Sequence, residues 1–387
     1  MVTVLVFAAT LAVAVLVSQL ARRTVLSTAV LFLAVGFVVG PGVLGVVTLT
    51  PRQPAVHELA NLALFSVLFT DGMAAGIGEL RRAWRLPGRA LLFGLPLTLA
   101  AIALLARYVG GLGWTDAFLL GAVLSPTDPV FAAAIVGRDE VPARLRQLLN
   151  VESGLNDGLV LPVVIVLLAV SATGRLDAAR LTGDLALGVL LGVVVPWAFI
   201  RLEQSRFFSA STLYEPLGLF AVGLGLLALC QVTGANEFLA AFVGGITVAS
   251  VSASAGDAFH RFGELVTELL KLAALLAFGA LVTPALLGSV GVGGWLFAIA
   301  TITLARPVAL MISLHRSTLP WQERAAAAWF GPKGFASVVY GLMVLESANP
   351  LAERIFVLTV VAVAISIVAH SSTDILVSRW LSKDVPA

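Results

Sequence analysis

Two short stretches, SPTDP at 125–129 and ESGLND at 152–157, place carboxylates inside sequence that is otherwise apolar enough to lie in a lipid bilayer. The acidic residues are Asp128, Glu152 and Asp157. An uncompensated charge at the centre of a bilayer costs roughly 3 kcal/mol or more, so an acidic residue there indicates a functional site. Because three such residues fall within two neighbouring segments, the sequence predicts a site for a cation and a proton.

The composition is typical of a polytopic membrane protein. Of the 387 residues, 59% are hydrophobic and 12% are charged, whereas about a quarter of the residues of a soluble domain are charged. The mean hydropathy is +1.01. A formal net charge of +2, without a run of basic residues, gives no sign of a nucleic-acid partner. We therefore expect an all-α protein whose surroundings are membrane lipid.

Windows of about 20 apolar residues predict about thirteen transmembrane helices. They lie near residues 2–20, 25–44, 56–74, 89–109, 114–136, 145–171, 181–200, 212–232, 235–254, 264–284, 292–314, 324–347 and 354–378. Basic residues concentrate in alternate connections, for example Arg22, Arg81 and Arg138, and such an excess is typical of cytoplasmic loops. We expect the N-terminus outside and the C-terminus in the cytoplasm, in the plasma (inner) membrane of a prokaryote.

Two of the predicted spans are interrupted at corresponding positions. The fifth carries prolines at 126 and 129 on either side of Thr127 and Asp128, and the twelfth carries GPKG at 331–334. If six spans, one linker and six further spans are counted, each break lies in the fifth member of its half. Matching broken helices indicate a transporter built from two inverted six-helix repeats, with crossing helices 5 and 12. The alternative is a pair of unrelated proline kinks, which membrane helices tolerate.

Oxygen atoms of the fifth and sixth spans predict the cation ligands. The two prolines remove backbone donors and disfavour helix at Asp128, which frees carbonyl oxygens, a hydroxyl and carboxylates for a hard monovalent cation. Ser153 and Asp157 are four residues apart and share one helix face, with Asn156 beside it. We predict that Asp157 carries cation and proton in turn. The predicted ligands are Thr127, Asp128, Ser153, Asn156 and Asp157.

Other charged residues receive structural interpretations. Glu152 lies on a different part of the helix from Asp157, and its predicted partner is Arg306 of the eleventh span, since a buried guanidinium needs a carboxylate. Lys333 is predicted to compensate the negative C-terminal ends of half-helices at the twelfth-span break. The alternative is that Lys333 itself carries a proton. We interpret Asp71 as an interfacial residue and His57 as a solvated loop residue.

These motifs resemble those of the monovalent cation:proton antiporter superfamily, in its sodium/proton exchanger-like branch. The resemblance rests on Thr127-Asp128-Pro129, on Glu152-Ser153 followed by Asn156-Asp157, on Arg306-Pro307 and on the 331–334 break, and it covers nearly the whole chain. It implies a homodimer in which a six-helix core moves against a dimerisation domain. It also implies electroneutral exchange, which this family associates with an Asn-Asp pair. Relatives often carry arginine where this chain has Lys333.

The expected protein is one transporter domain over residues 1–387. Its core helices lie at about 89–171 and 292–378, its scaffold helices at about 2–74 and 212–284, and a linker helix at about 181–200. We predict a secondary active antiporter for pH homeostasis that exchanges Na⁺, or Li⁺, for H⁺ by alternating access and needs no cofactor. The alternatives are a K⁺/H⁺ antiporter of the same fold and a cation channel. No HExxH, GxSxG or GxGD motif indicates an enzyme.

Overall fold

The computed structural model describes residues 1–21, 28–74, 85–128, 141–174, 177–205 and 214–382. Within these ranges the regular structure is helical, as the composition predicts. The fifth span beyond Asp128 lies outside the described residues, and so do the connections that carry Arg22, Arg81 and Arg138.

Most helices follow the predicted apolar windows, but the tenth begins at Ala253, whereas its window was predicted near 264–284. The first seven are α1 (Val2–Ala21), α2 (Thr28–Val39), α3 (Pro54–Ala74), α4 (Arg85–Tyr108), α5 (Trp114–Leu124), α6 (Ala143–Thr173) and α7 (Ala178–Glu203). The remainder are α8 (Glu215–Thr233), α9 (Glu237–Val251), α10 (Ala253–Leu281), α11 (Val292–Ser313), α12 (Trp321–Trp329), α13 (Phe335–Glu346) and α14 (Ala352–Ser382). A short helix, Pro284–Gly288, precedes α11.

Six helices of the described ranges are each long and apolar enough to cross a membrane. They lie in α4, α6, α7, α8, α11 and α14, while α1, α2, α5, α9 and α13 contain shorter apolar helices. Two of the shorter ones, α5 and α13, are short because the chain leaves the helix at a break. The all-α polytopic fold is thus confirmed, whereas the count of thirteen spans and the inverted repeats stay predictions.

Glycines allow two pairs of helices to approach backbone to backbone. A Cβ atom on Gly36 of α2 would collide with the carbonyl oxygen of Leu276 in α10, and Gly279 of α10 lies equally close to α2. In the same way Gly72 of α3 meets α9, and Gly245 of α9 meets α3. Small residues are the usual means by which membrane helices pack closely, because van der Waals contact replaces hydrophobic burial there.

Helix α6 packs against α3, α4, α5, α9, α12 and α13. Both α4 and α11 contain a π-helical turn, at Ala90–Gly94 and Thr301–Ala305, and in each helix a proline follows two residues later. A π turn and the missing proline donor both disturb the helical ladder, and such sites are frequently functional. In α11 Arg306 directly follows the π turn, and its side chain reaches Glu152 of α6.

Candidate functional site

The first helix break directly follows α5. The helix ends at Leu124, and residues 125–128 are not helical although they are almost completely buried. Thr127 is 1% exposed and Asp128 is 6% exposed. The neighbouring prolines explain the break, since neither can donate a backbone hydrogen bond. The Asp128 backbone N–H instead donates to the carbonyl oxygen of Pro332, 2.9 Å away, which joins this break to the second one.

The second break separates α12 from α13. Its five residues, 330–334, are non-helical and buried. A Cβ atom on Gly331 would overlap the side chain of Arg306, and one on Gly334 would overlap the side chain of Asp128. Glycine at these two positions therefore lets charged side chains from other helices approach the backbone of the break.

The two breaks exchange charges across the crossing. Lys333 Nζ donates to the carbonyl oxygens of Ser125 and Pro126, at 3.1 and 3.3 Å, at the C-terminal end of α5. Asp128 Oδ2 accepts the backbone N–H of Phe335, at 2.9 Å, at the N-terminal end of α13. Each charge thus lies at the helix end of opposite partial charge, and that end belongs to the other broken span. The geometry suits the charge-compensating role predicted for Lys333.

Glu152 and Arg306 are brought together as a two-pronged ion pair. Arg306 Nη1 and Nη2 donate to the two carboxylate oxygens of Glu152 at 2.6 and 2.9 Å. Arg306 Nη2 also donates to the carbonyl oxygen of Phe330, 3.2 Å away in the second break. Glu152 is 3% exposed and Arg306 is 4% exposed. A pair with this geometry satisfies both buried charges and connects α6, α11 and the break.

A chain of polar side chains leads from the first break to α6. Asn156 Nδ2 donates to Thr127 Oγ1 at 2.6 Å, and the hydroxyl oxygens of Thr127 and Ser153 lie 3.1 Å apart. Asn156 Oδ1 and Asp157 Oδ1 are buried and have no hydrogen-bond partner among the described residues. The amide donor of Asn156 is therefore used internally, and its oxygen is left available as an acceptor. Together with Asp157 it offers the oxygen ligands that a hard cation prefers.

The carrier candidate Asp157 is 3% exposed. Its carboxylate interacts electrostatically with Asp128 and Lys333 of the two breaks, and also with Asp71 and Lys271. The hydroxyl of Tyr340 in α13 donates to the Asp157 backbone carbonyl at 3.0 Å, which links this turn of α6 to the helix that follows the second break. All eight residues predicted for the site therefore lie in one connected region.

Comparison with known proteins places the chain in a family. The family described as "Sodium/hydrogen exchanger, transmembrane" matches residues 7–379. The chain belongs to the sodium/hydrogen exchanger family. The family resemblance inferred from the motifs is thereby confirmed.

Individual relatives are distant but cover most of the chain. The K(+)/H(+) antiporter NhaP2 of Shewanella baltica is 25% identical over 97% of this chain, which spans 66% of that protein's length. Na(+)/H(+) antiporter 1 of Methanocaldococcus jannaschii is 23% identical over a match that covers 88% of this chain and 83% of that protein's length. The structure of the sodium proton antiporter MjNhaP1 from M. jannaschii at pH 8 matches 99% of this chain with a TM-score of 0.80 and 18% identity. At that identity the structural likeness shows the exchanger fold alone.

The sequence interpretation of Asp71 was wrong. Its Oδ2 atom is buried and has no hydrogen-bond partner among the described residues, and its carboxylate interacts electrostatically with Asp157 and Asp128. Asp71 lies near the C-terminal end of α3, which suggested an interfacial position. The signal that could have found it is the adjacent Gly72, because a glycine at which two helices touch indicates a buried turn.

His57 was also misinterpreted. It lies in the first turn of α3, is 9% exposed, and its Nδ1 atom is 2.6 Å from Glu346 Oε1 at the end of α13. Two further residues near the site, Tyr340 and Ser337, gave no signal because both lie in an ordinary apolar run after the second break. Ser337 Oγ is buried without a hydrogen-bond partner in the described part of the chain, one turn before Tyr340 on α13.

Proposed function

We propose that this chain is a monovalent cation:proton antiporter in which Asp157 holds either a proton or a cation. The observation that carries the proposal is the buried Oδ1 of Asp157, which, like the Oδ1 of the adjacent residue Asn156, has no hydrogen-bond partner in the described part of the chain. A buried ionised carboxylate with an oxygen that no donor contacts is disfavoured, so we propose that this oxygen binds a positive passenger. A proton and a metal cation compete for the same oxygen atoms, and binding of one expels the other.

The proposed ligands are Thr127, Asp128, Ser153, Asn156 and Asp157, to which the structure adds Asp71 as a nearby carboxylate. Asp128 Oδ2 already accepts the Phe335 N–H, so its contribution is chiefly its charge. Glu152 and Arg306 neutralise each other's charge, and we propose that their role is structural. Lys333 compensates the end of α5 through two carbonyl oxygens. The proposed process moves ions and makes or breaks no covalent bond, so no enzyme activity and no resident cofactor are proposed.

Exchange becomes obligatory if only the neutral or cation-loaded site can cross the membrane. With asparagine at 156, one carboxylate of the Asn-Asp pair changes its passenger, and one positive charge moves each way. This supports electroneutral exchange of one cation for one proton. A channel would not need such competition, because uncoupled current requires no alternation between two passengers.

The proposed architecture is two inverted six-helix repeats in a homodimer. The repeats are supported by the π turns of α4 and α11, which are fourth members of their halves, and by the two breaks in the fifth members. The glycine contacts α2 to α10 and α3 to α9 support them as well, since exchange of the halves converts one contact into the other. We propose that α4–α6 and α11–α14 form the moving core, that α1–α3 and α8–α10 form the scaffold, and that α7 is the linker.

The proposed location is the prokaryotic plasma (inner) membrane, with the N-terminus outside. This orientation places the start of α3 and the end of α13 on the outer side, where Arg52 and Glu353 also meet at 3.3 Å. Na⁺, or Li⁺, is the proposed passenger on the basis of the sequence motifs. K⁺ is the second candidate, because the relatives that match over 97% of this chain are named K(+)/H(+) antiporters.

The test is exchange in proteoliposomes with a preset pH gradient, followed by a pH-sensitive dye. Na⁺, Li⁺ or K⁺ is added separately, and the Na⁺ and Li⁺ reactions are repeated with the membrane voltage clamped by valinomycin and equal K⁺ on both sides. We expect the gradient to collapse with at least one cation, without dependence on voltage. Asp157→Asn should give no collapse, whereas Asp184→Asn, a partly exposed carboxylate on α7, should behave as wild type. Exchange in the Asp157→Asn protein would exclude the proposed mechanism.

A further inference from the structure

Helix α14 contacts both ends of the second break. Trp329 is the last residue of α12, and Lys333 lies two residues before the start of α13. The Lys333 backbone N–H donates to Ser366 Oγ at 2.7 Å. On the next turn of α14, His370 Nε2 lies 2.9 Å from the Trp329 carbonyl oxygen. Ser366 and His370, which are four residues apart on one face of α14, therefore each contact one side of the break.

These contacts satisfy backbone groups that the break leaves without helical partners. The last carbonyls of α12 and the first N–H groups before α13 cannot pair within a helix. At this depth in a membrane protein no bulk water replaces the missing bonds. The Arg306 guanidinium donates to the Phe330 carbonyl oxygen. Ser366 Oγ accepts the Lys333 N–H, and the His370 ring contacts the Trp329 carbonyl oxygen. Side chains of α11 and α14 therefore share the hydrogen bonding of the open segment with two backbone bonds, from Gly331 N–H to the Trp329 carbonyl oxygen and from Asp128 N–H to the Pro332 carbonyl oxygen.

The His370 side chain is fixed on several sides. It is 2% exposed, and its Nδ1 atom lies 2.7 Å from the Ser366 carbonyl oxygen and 3.2 Å from Ser366 Oγ. The ring packs 5.2 Å from the Trp329 ring and 6.5 Å from the Phe330 ring, measured between centroids. The Trp329 indole N–H donates to Thr373 Oγ1 of α14 at 2.9 Å. The end of α12 is consequently held to α14 by hydrogen bonds and by aromatic contact.

We propose that Ser366 and His370 are positioning residues of the cation site, which fix the distance across the second break and so hold the Lys333 ammonium on the α5 carbonyls. The inference rests on the proposed transport function and extends it to α14. Lys333 contacts the carbonyl oxygens of Ser125 and Pro126, and the next residue is the proposed ligand Thr127. A shift of the Lys333 backbone therefore moves a positive charge relative to the cation ligands.

The effect should appear in cation binding and not only in folding. Loss of the Ser366 hydroxyl leaves the Lys333 N–H unpaired in a buried segment, and the segment relaxes to find another acceptor. We expect Ser366→Ala to raise the cation KM of exchange about three- to tenfold, the change that one buried hydrogen bond accounts for. Ser366→Thr keeps the hydroxyl, so its cation KM should stay within about twofold of that of the wild type.

The matched control is Thr359→Val. Thr359 lies two turns earlier on α14, is 0% exposed, and its hydroxyl donates to Ile355 of its own helix at 2.9 Å. It is thus an equally buried hydroxyl with no bond to the break. We expect Thr359→Val to leave the cation KM unchanged, whatever happens to the unfolding temperature of the purified protein. An equal KM rise in both variants would show a general packing effect and would overturn the inference.

His370→Phe provides the second variant, because phenylalanine can keep the ring contacts with Trp329 and Phe330 while both ring nitrogens are lost. The cation KM should rise, though by less than in Ser366→Ala, since the Trp329 carbonyl oxygen loses its contact with α14 but still accepts the Gly331 N–H. If Ser366→Ala does not yield folded protein, Ser366→Cys tests the same bond with a weak acceptor of similar size. If the cation KM is unchanged both in His370→Phe and in the Ser366 variant that folds, the inference is overturned. The proposed function is untouched by that result as long as the wild-type protein exchanges cations for protons. Absence of exchange in wild type would instead overturn the proposed function itself.

Discussion

Glu152 and Asp157 are two carboxylates of one helix with opposite surroundings. Both are 3% exposed, yet Glu152 has an arginine donor on each of its oxygens, whereas Asp157 Oδ1 has no hydrogen-bond partner among the described residues. Five residues of α-helix separate them by about 140° around the axis, so they face different neighbours. Glu152 faces α11, and the Asp157 turn contacts α13 through Tyr340.

The difference separates a permanent charge pair from an exchangeable one. A buried carboxylate with a bidentate guanidinium keeps its charge and has no reason to bind another cation. A buried carboxylate with an unused oxygen is stabilised by whichever positive species arrives. Position in the helix therefore decides which of two chemically similar groups holds the protein together and which is suited to carry ions.

The largest expected effect is that of Asp157→Asn on transport. The amide keeps the size of the side chain but cannot lose a proton or attract a cation, so exchange should fall to the level of empty liposomes. The protein should still elute from size-exclusion chromatography at the wild-type volume. Glu152→Gln is the contrasting change on the same helix. It weakens the pair with Arg306, so we expect it to lower the unfolding temperature more clearly than it changes the cation KM.

Removal of Arg306 should give the largest loss of stability. Arg306→Ala leaves the Glu152 charge buried without compensation, at a cost of about 3–5 kcal/mol in the free energy of unfolding. Replacement of both partners by apolar residues, Glu152→Leu with Arg306→Met, should recover much of that loss. Thermal unfolding of the purified proteins, followed by tryptophan fluorescence, measures both. If the double variant were no more stable than Arg306→Ala, the ion pair would not be the reason for the single-variant loss.

Asp71→Asn is expected to have an intermediate effect on function. The Asp71 carboxylate interacts electrostatically with Asp157 and attracts the cation when it is ionised, so its replacement by an amide should raise the cation KM about three- to tenfold. Glu58→Gln, an exposed acidic residue on the same helix, is the control and should leave the KM unchanged. Identical KM values in Asp71→Asn and wild type would place Asp71 outside the site.

The exposed pair Arg52–Glu353 should contribute least. Its side chains are 76% and 80% exposed, and the distance is 3.3 Å. Exposed pairs of this kind contribute little because water screens them and both side chains lose freedom. Arg52→Gln should therefore change neither the unfolding temperature nor the cation KM. A shift in unfolding temperature comparable with that of Arg306→Ala would contradict the distinction between buried and exposed pairs.

Local chemistry explains which features the sequence reveals. Pro126 ends the helix of α5, and GPKG interrupts the twelfth span. Both effects can be read from the sequence, because proline and glycine change the backbone conformation at their own positions. The Glu152 and Arg306 contact follows from the need of a buried guanidinium for a carboxylate.

Features that depend on how distant helices cross could not be read from the sequence. Nothing in residues 125–129 shows that Asp128 caps α13, or that Lys333 contacts the end of α5, because both contacts arise only where the breaks cross. Asp71 was missed for the same reason, since its burial depends on neighbours far away in the chain. His57 was assigned to a loop because it lies at the very start of a predicted span, and its contact with Glu346 joins segments almost three hundred residues apart.

The most direct test of the account is proton release on cation binding by the purified protein. Na⁺ or K⁺ is added to weakly buffered protein in detergent at a pH where Asp157 is protonated, and a pH indicator records the protons that appear, with choline as the control cation. The account predicts proton release that saturates with the cation and that is absent in Asp157→Asn. Saturable binding of the cation without release of protons would contradict it.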